Sequence, residues 1–203
     1  MAQINSSPSI INIIALGNCS VGKTCFIYKY VHNEFRCDFK NTLGVNFMSK
    51  SIQLPSGQNI TIRFEDTSGQ ERYRSLASNF IKNADGILLM YDITDMETFK
   101  AISRWIKSIK EIKGNDCPII LIGNKCDLED KRKIAKEDGE KQAKDNGFLF
   151  FETSCKDNIN IQETINAIVN KVTEGRIQIE NNKRQSIKLE KKKLKKQKRK
   201  CKC

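Results

Sequence analysis

Gly17-Asn18-Cys19-Ser20-Val21-Gly22-Lys23-Thr24 is the stretch that decides the fold of this 203-residue chain. It fits the spacing G-x-x-x-x-G-K-[ST] and lies between an apolar run and a helical pattern. Glycines permit a turn tight enough for successive backbone N–H groups to converge on phosphate oxygens, and the following helix adds the positive end of its dipole. The alternative is a glycine turn with an exposed lysine, which the four fixed positions and the strand-loop-helix context disfavour. The stretch therefore predicts a phosphate-binding loop in which Lys23 contacts the outer phosphates and Thr24 ligates Mg²⁺.

Apolar runs of strand length alternate with helical patterns along the chain. Near-continuous apolar runs, typical of strands covered on both faces, occur at 10–16, 86–91, 118–123 and 148–152. The patterns also predict a half-exposed hairpin at 45–54 and 59–65, and helices at 23–31, 99–109, 135–146 and 161–172. We expect an α/β fold with a mostly parallel six-stranded sheet, one antiparallel edge hairpin and helices on both faces, in which Trp105 is a core residue. Ligands of such folds bind at the carboxyl ends of the strands.

The charge divides the chain into a domain and a tail. From residue 181 onward twelve Lys or Arg residues accompany a single acid, so most of the net charge of +12 belongs to this end. We expect a disordered arm at 1–8, one globular domain at 9–175 that ends in a helix stop at Gly175, and a flexible polybasic tail at 176–203. The charge alone fits a nuclear-localisation or nucleic-acid patch, a solvated tail or an anchor for anionic lipids.

The eight cysteines and the single histidine favour neither a disulfide framework nor a metal site. We expect a reducing compartment, because the first residues lack the charged and apolar regions of a secretion signal. Cys25, Cys37, Cys117 and Cys126 are not in C-x-x-C spacing, and His32 has no partner ligand beside it in the sequence. We interpret these residues as ordinary scattered side chains.

Asp66-Thr67-Ser68-Gly69-Gln70-Glu71 follows the second strand of the predicted hairpin. By itself, Asp-Thr-Ser-Gly is typical of a plain turn. In a chain with a phosphate-binding loop, Asp66 can hold a Mg²⁺-bound water, Gly69 can turn its N–H toward a γ-phosphate, and Gln70 can orient an attacking water. The combination favours a site that hydrolyses a nucleoside triphosphate.

Two further motifs follow predicted buried strands and indicate which base is bound. Asn124-Lys125-Cys126-Asp127 places a carboxylate where it can accept from the N1–H and N2–H₂ edge of guanine, an edge that adenine lacks. Glu152-Thr153-Ser154-Cys155-Lys156 offers backbone N–H groups to guanine O6. Taken alone, the first motif also fits a helix N-cap and the second an ordinary loop.

All of these motifs, in this order, resemble those of the Ras superfamily of small GTPases across about residues 9–175. Three stretches are similar to patterns of the Rab family: Thr42-Leu43-Gly44-Val45-Asn46-Phe47, Gln70-Glu71-Arg72-Tyr73-Arg74-Ser75-Leu76 and Tyr91-Asp92-Ile93-Thr94-Asp95. The chain ends in Cys201-Lys202-Cys203, which resembles the two-cysteine signal on which Rab proteins carry geranylgeranyl groups.

The resemblance implies a role for each matching residue. Lys23 binds the β- and γ-phosphates, Gln70 is the catalytic residue that positions water, and Phe35 lies against the ring or ribose. The implied ligands of Mg²⁺ are Thr24, Thr42 and Asp66, and the implied lipidation sites are Cys201 and Cys203. The residues implied to contact GTP or GDP are Cys19, Ser20, Val21, Gly22, Lys23, Thr24, Cys25, Phe35, Thr42, Gly69, Asn124, Lys125, Asp127, Ser154, Cys155 and Lys156.

The function that the resemblance implies is a GTP-hydrolysing switch in vesicle trafficking, on the cytoplasmic face of an endomembrane and cycling with the cytosol. Its expected partners are an exchange factor, a GTPase-activating protein, a GDP-dissociation inhibitor, a prenylation escort protein and effectors. We expect a monomer that does not bind DNA. Two other classes remain open, namely a GTP-binding module with little hydrolysis and a nuclear, RNA-associated GTP-binding protein that uses the basic tail.

Two residues beside Asp66 depart from the Rab pattern. Glu65 stands where Rab proteins usually have Trp, and Ser68 replaces an Ala. We expect Glu65 to be an exposed acid in an effector surface that keeps the aromatic rings of Phe47 and Phe80. Because a large aromatic side chain is a typical hot spot, its loss predicts unusual effectors.

Two cysteines also depart from that pattern. Cys19 occupies a loop position where a side chain can obstruct the transition state in Ras-like proteins, although Rab proteins often tolerate one. Cys155 replaces an Ala and is expected to be harmless, because the implied contact with the base is made through the backbone.

Overall fold

The computed structural model describes residues 9–36, 45–67 and 74–178 and contains a six-stranded sheet. Its strands are β1 (Ser9–Leu16), β2 (Val45–Gln53), β3 (Asn59–Thr67), β4 (Gly86–Asp92), β5 (Ile119–Asn124) and β6 (Leu149–Thr153). The order is β2-β3-β1-β4-β5-β6, with β2 antiparallel to β3 and every other pair parallel. All residues of β4 and β5 are buried, as expected for parallel strands covered on both faces. The predicted fold class is confirmed.

Helices cover both faces of the sheet and enclose two apolar clusters. They are α1 (Lys23–His32), α2 (Arg74–Asn83), α3 (Met96–Lys100), α4 (Ile102–Lys113), α5 (Lys136–Asn146) and α6 at 161–178. The cluster against α1 and α6 includes Phe26, Phe64 and Ile165. The cluster on the opposite face includes Ile81 of α2 and Trp105 of α4. Among the described helices, none is long and apolar enough to cross a membrane.

The apolar face predicted as one helix at 99–109 belongs to two helices. Asp95 caps α3 by accepting from the backbone N–H of Glu97 at 3.0 Å. The chain then tightens at Ala101, whose carbonyl accepts from the N–H groups of Arg104 and Trp105. The first of these bonds is a 3₁₀-type contact, which separates α3 from α4 without turning the apolar face away from the core.

The last helix continues beyond its predicted end. Gly175 lies inside α6 and its φ is outside the left-handed region, so the expected helix stop is wrong. The contacts of Arg176 explain the extension. Its guanidinium forms an ion pair with Asp85 at 2.9 Å and donates to Ser9 Oγ and the Ile10 carbonyl. The same Asp85 carboxylate accepts from the backbone N–H of Asn12. The end of α6 is thereby tied to the start of β1. The predicted arm at 1–8 and residues 179–203 of the predicted tail lie outside the described residues.

Candidate nucleotide-binding site

The loop at 17–24 connects β1 to α1 at the carboxyl end of the sheet, and its backbone explains its glycines. Gly17 has φ 137°, and a Cβ there would lie 2.2 Å from the carbonyl oxygen of Met90. Gly22 has φ 98° and Ser20 has φ 61°, so two further residues of the loop have left-handed backbone before α1 begins. Val21 is fully buried and fixes the loop to the core. A loop of this curvature directs successive N–H groups to one side, where phosphate oxygens can accept from them.

The ammonium group of Lys23 lies inside this loop. Its side chain is 5% exposed, and Nζ donates to the carbonyl oxygens of Gly17 at 3.0 Å and Asn18 at 2.8 Å. Burial lowers the pKa of the Lys23 ammonium to about 8, and the nearby Asp66 carboxylate opposes that shift. The side chain therefore keeps most of its charge at neutral pH and can exchange its carbonyl partners for phosphate oxygens.

Thr24 and Asp66 supply oxygen atoms that fit a Mg²⁺ ion. The Thr24 hydroxyl donates to Asp66 Oδ2 at 2.6 Å, although the two residues are 42 positions apart. Asp66 pairs with Ala15 in the β1–β3 register, and Thr67 donates to the Ala15 carbonyl at 2.9 Å. The end of β3 is thus fixed beside the start of the loop. A hydroxyl and a carboxylate are the hard oxygen ligands that Mg²⁺ prefers, so this donor set fits the predicted ion.

Asn124 joins the base motif to the phosphate-binding loop. It ends β5, is buried, and donates from Nδ2 to the Val21 carbonyl at 2.8 Å. Its Oδ1 accepts from the Thr153 hydroxyl at 2.9 Å. A Cβ on Gly22 would lie 2.3 Å from Nδ2, so the second glycine of the loop is required by this contact as well as by its backbone angle. Residues from β5, β6 and the loop therefore meet at one side chain.

Ser154, from the motif at 152–156, orients the Asp127 carboxylate, which we expect to meet the edge of a base. The Ser154 hydroxyl donates to Asp127 Oδ1 at 2.7 Å and accepts from the backbone N–H of Asp157 at 3.0 Å. Because this contact uses Oδ1, the second carboxylate oxygen can accept from a ligand. A carboxylate in this position selects a base edge that carries donors, as guanine does and adenine does not.

Lys125 depends on a residue that the sequence motifs did not identify as part of the site. Its ammonium forms an ion pair with Asp92 Oδ2 at 2.6 Å, and its backbone is left-handed with φ 68°. Asp92 ends β4 and lies opposite Asn124 in the β4–β5 register. Its other oxygen accepts from the N–H and the hydroxyl of Thr94. A carboxylate at the carboxyl end of a fully buried strand was the available signal for this role.

The remaining predicted contacts are distributed around the same edge. Cys155 is buried with its thiol 3.8 Å from Asn124 Oδ1, and burial raises the pKa of that thiol to about 12. Lys156 is exposed next to it, and Phe35 is 43% exposed beyond the end of α1. Their contacts with a nucleotide stay predictions, as do those of Cys19 and Cys25. Thr42, Gly69, Gln70, Ser68, Cys201 and Cys203 lie outside the described residues.

Glu65 does not lie where we expected it. Its side chain is 6% exposed, and Oε2 is buried without a hydrogen-bond partner among the described residues, so the expectation of an exposed acid is wrong. The reason is its place inside the sheet, between Ile14 of β1 and Phe47 of β2, on the face that α2 covers. Burial raises the pKa of this carboxyl, and Arg63 opposes the shift. Phe47 remains 58% exposed, with its ring 6.0 Å from that of Phe80, and the prediction of unusual effectors is not tested by these contacts.

Comparison with known proteins identifies the family to which the chain is similar. The model of the Ras family matches residues 12–174. The chain is 41% identical over 157 residues to Ras-related protein Rab-3C from Bos taurus, which covers 77% of this chain and 69% of that relative. It is also 41% identical over 162 residues to the human proteins Rab-3D and Rab-3A, covering 80% of this chain and 74% and 73% of those relatives. The family match includes the phosphate-binding loop, Asp66 and both base motifs.

Proposed function

Because the chain belongs to the Ras family and, within it, to the Rab small GTPases, we propose that GTP and GDP bind with Mg²⁺ across the loop at 17–24 and the two base motifs. The chain is a GTP hydrolase whose function is switching in vesicle trafficking. The observation that best supports the proposed site is the bond from Asn124 to the Val21 carbonyl at 2.8 Å. It joins a phosphate-binding element to a base-binding element, and a nucleotide is the ligand that needs both.

Each described residue has a definite task in this proposal. The loop N–H groups and Lys23 bind the phosphates, and Asp127, oriented by Ser154, accepts from the guanine edge. Lys125 is held over the same end by Asp92. Thr24 and Asp66 would hold Mg²⁺, together with Thr42, and the ion would neutralise charge on the β- and γ-phosphates. Gln70 is the residue that we propose to orient the attacking water, with Gly69 donating to the γ-phosphate.

We also propose a membrane location for the chain, on the basis of the basic residues and cysteines at 191–203. We assign geranylgeranyl groups to Cys201 and Cys203, and we assign contact with an anionic leaflet to the basic run before them. Two prenyl chains, or one chain with a polybasic segment, anchor a protein stably where one chain alone does not. The partners are then those of a cycling membrane switch, namely an exchange factor, an activating protein, a dissociation inhibitor, an escort protein and effectors.

Single-turnover release of phosphate from the GTP-loaded full chain tests the proposed catalysis. We expect slow release that requires Mg²⁺ and that a Rab-type activating protein accelerates. Gln70→Leu should slow the stimulated rate by about tenfold or more, since it removes the group that orients water. Gln142→Leu, on α5, is the matched control and should retain the wild-type rate. Tight GTP binding with an equal rate in Gln70→Leu would instead support a binding module with little hydrolysis.

The membrane assignment is tested in cells with a tagged chain. Cys201→Ser combined with Cys203→Ser should move the chain from endomembranes to the cytosol, and intact-mass measurement of the wild-type chain should show added prenyl groups. Cys117→Ser, in the folded domain, is the matched control. An unmodified wild-type mass together with nuclear retention would favour the RNA-associated alternative.

A further inference from the structure

Trp105 contacts the phosphate-binding loop as well as the core. The side chain is 5% exposed on α4, as expected for a core residue, and its indole N–H donates to Asn18 Oδ1 at 3.1 Å. Indole has a single donor and no acceptor, and a buried donor without a partner is costly. The bond therefore fixes both the ring and the Asn18 side chain, although the two residues are 87 positions apart.

Asn18 is also one of the residues that hold Lys23. Its backbone carbonyl accepts from Lys23 Nζ at 2.8 Å, while its side chain accepts from the indole. The neighbouring Gly17 has a backbone that only glycine adopts readily and lies against Met90. The first turn of the loop is thus held from α4, in the same way that its second half is held by Asn124 through the Val21 carbonyl.

The helix that carries Trp105 touches a second important segment. α4 packs against α2, and both contribute to the apolar cluster around Ile81, Ile102 and Ile106. α2 begins shortly after the Asp66-Thr67-Ser68-Gly69-Gln70-Glu71 motif along the chain. A displacement of α4 that accompanies a change in α2 would therefore be transmitted to Asn18 through one hydrogen bond.

We propose that Trp105 is a positioning residue that acts through Asn18 to hold the phosphate-binding loop in its curved form and so slows nucleotide release. The inference rests on the proposed binding of GDP and GTP at this loop. In this inference Trp105 lengthens the time for which the nucleotide stays bound. It does not itself contact the phosphates. The indole N–H, and not the ring alone, is the group responsible.

Release of a fluorescent GDP derivative from the full chain with Mg²⁺ tests this role. Trp105→Phe keeps an aromatic ring but removes the donor, and release should become about two- to tenfold faster, as expected for loss of one hydrogen bond. Asn18→Ala should give the same acceleration, and the double variant should release no faster than either single variant. Asn18→Asp keeps an acceptor oxygen and should restore slow release. Hydrolysis of bound GTP should change less than release does.

Ile109→Val is the matched control, because it removes one methyl group from the same helix and the same cluster. It should lower the melting temperature without accelerating release. Equal acceleration in Ile109→Val and Trp105→Phe would show a loss of helix packing and would overturn the inference, as would additive effects in the double variant. If the wild-type chain binds no GDP derivative, the proposed function fails; if it binds and Trp105→Phe releases at the wild-type rate, only this inference fails.

Intrinsic fluorescence gives a second readout, because the emission of an indole depends on its surroundings and on its hydrogen bond. Trp105 is the single tryptophan of the chain, so the emission reports on this indole alone. Removal of nucleotide from the wild-type chain should shift the emission, and Asn18→Ala should abolish most of that shift. An emission that is unaffected by nucleotide in the wild-type chain would contradict the connection between α4 and the loop.

Discussion

Asn124 donates its side-chain amide to the carbonyl oxygen of Val21 at 2.8 Å, so the proposed base-binding and phosphate-binding ends of the site share a buried hydrogen bond. The same side chain accepts from Thr153, which adds the end of β6 to this junction. One residue thus holds three chain segments that are far apart in the sequence.

Asn124→Ala should be strongly destabilising, because it leaves the Val21 carbonyl and the Thr153 hydroxyl buried without these partners. Two such losses predict a decrease of about 2–4 kcal/mol in the free energy of unfolding. Urea unfolding of the GDP-bound chain measures the change, and Asn115→Ala on the exposed surface is the control. A decrease as small as that of the control would show that water replaces both bonds.

Asp127→Asn should change the preferred base. Ser154 donates to Oδ1, so the amide oxygen of the variant should keep that contact and turn its NH₂ group toward the ligand. A donor there opposes the donors of guanine but matches the 2-oxo group of xanthine. We expect GTP affinity to fall by about 100-fold or more and xanthosine triphosphate affinity to rise, as measured by competition with a fluorescent nucleotide. Unchanged GTP affinity would contradict the assignment of Asp127.

Glu65→Met should stabilise the chain, because it replaces a buried carboxylate by an apolar side chain of similar length. Oε2 of this buried carboxylate has no hydrogen-bond partner among the described residues, which predicts a gain of about 1–3 kcal/mol in the free energy of unfolding on its removal. Thermal unfolding of the GDP-bound chain checks the sign. The control Glu163→Met, on the exposed face of α6, should change the free energy of unfolding by about 0.5 kcal/mol or less. A lower melting temperature in Glu65→Met would mean that the carboxylate is needed by the fold.

Cys117 should react slowly with iodoacetamide, because burial raises the pKa of its thiol from 9.0 to about 11. Since the thiolate is the reactive form, the folded chain should react about 100-fold more slowly at pH 8 than the same cysteine in urea. The rate should rise about tenfold per pH unit between pH 7.5 and 9.5 in the folded chain. In the unfolded chain the rate should be half-maximal near pH 9 and level off above about pH 10. Quantification of the Cys117 peptide by mass spectrometry follows both rates, and an early plateau in the folded chain would refute this assignment.

Most of the fold follows from local patterns. β4 and β5 are continuous apolar runs because helices cover both of their faces. The loop at 17–24 is recognisable from its two glycines because positive backbone φ angles favour glycine at those positions. The separation of α3 from α4 was not predicted, since it rests on a local 3₁₀-type contact at the Ala101 carbonyl that leaves the apolar periodicity unchanged. The periodicity also did not predict α2 as an element.

The features of the site that were not predicted from the sequence depend on contacts between residues far apart in the chain. The burial of Glu65 is decided by β1 and α2, whereas the preceding residues 59–64 alternate as a half-exposed strand does. Asp92 and Lys125 meet because adjacent parallel strands end at the same edge, and no spacing in the motif records that contact. Trp105 had the pattern of a core residue, and its bond to Asn18 is visible only once α4 is placed beside the loop.

The anchoring of Arg176 to Asp85, Ser9 and Ile10 determines from which pole of the domain the remaining chain departs. That pole is at the amino ends of the strands, whereas the proposed nucleotide site is at their carboxyl ends. The 25 residues after Gln178 can span at most about 90 Å, roughly twice the diameter of a domain of this size. If the terminal cysteines are in a bilayer, the segment at 179–203 connects the membrane to the side of the domain opposite the proposed nucleotide site. The surface of Phe47 and Phe80 can then lie well above the lipid, where large partners can reach it.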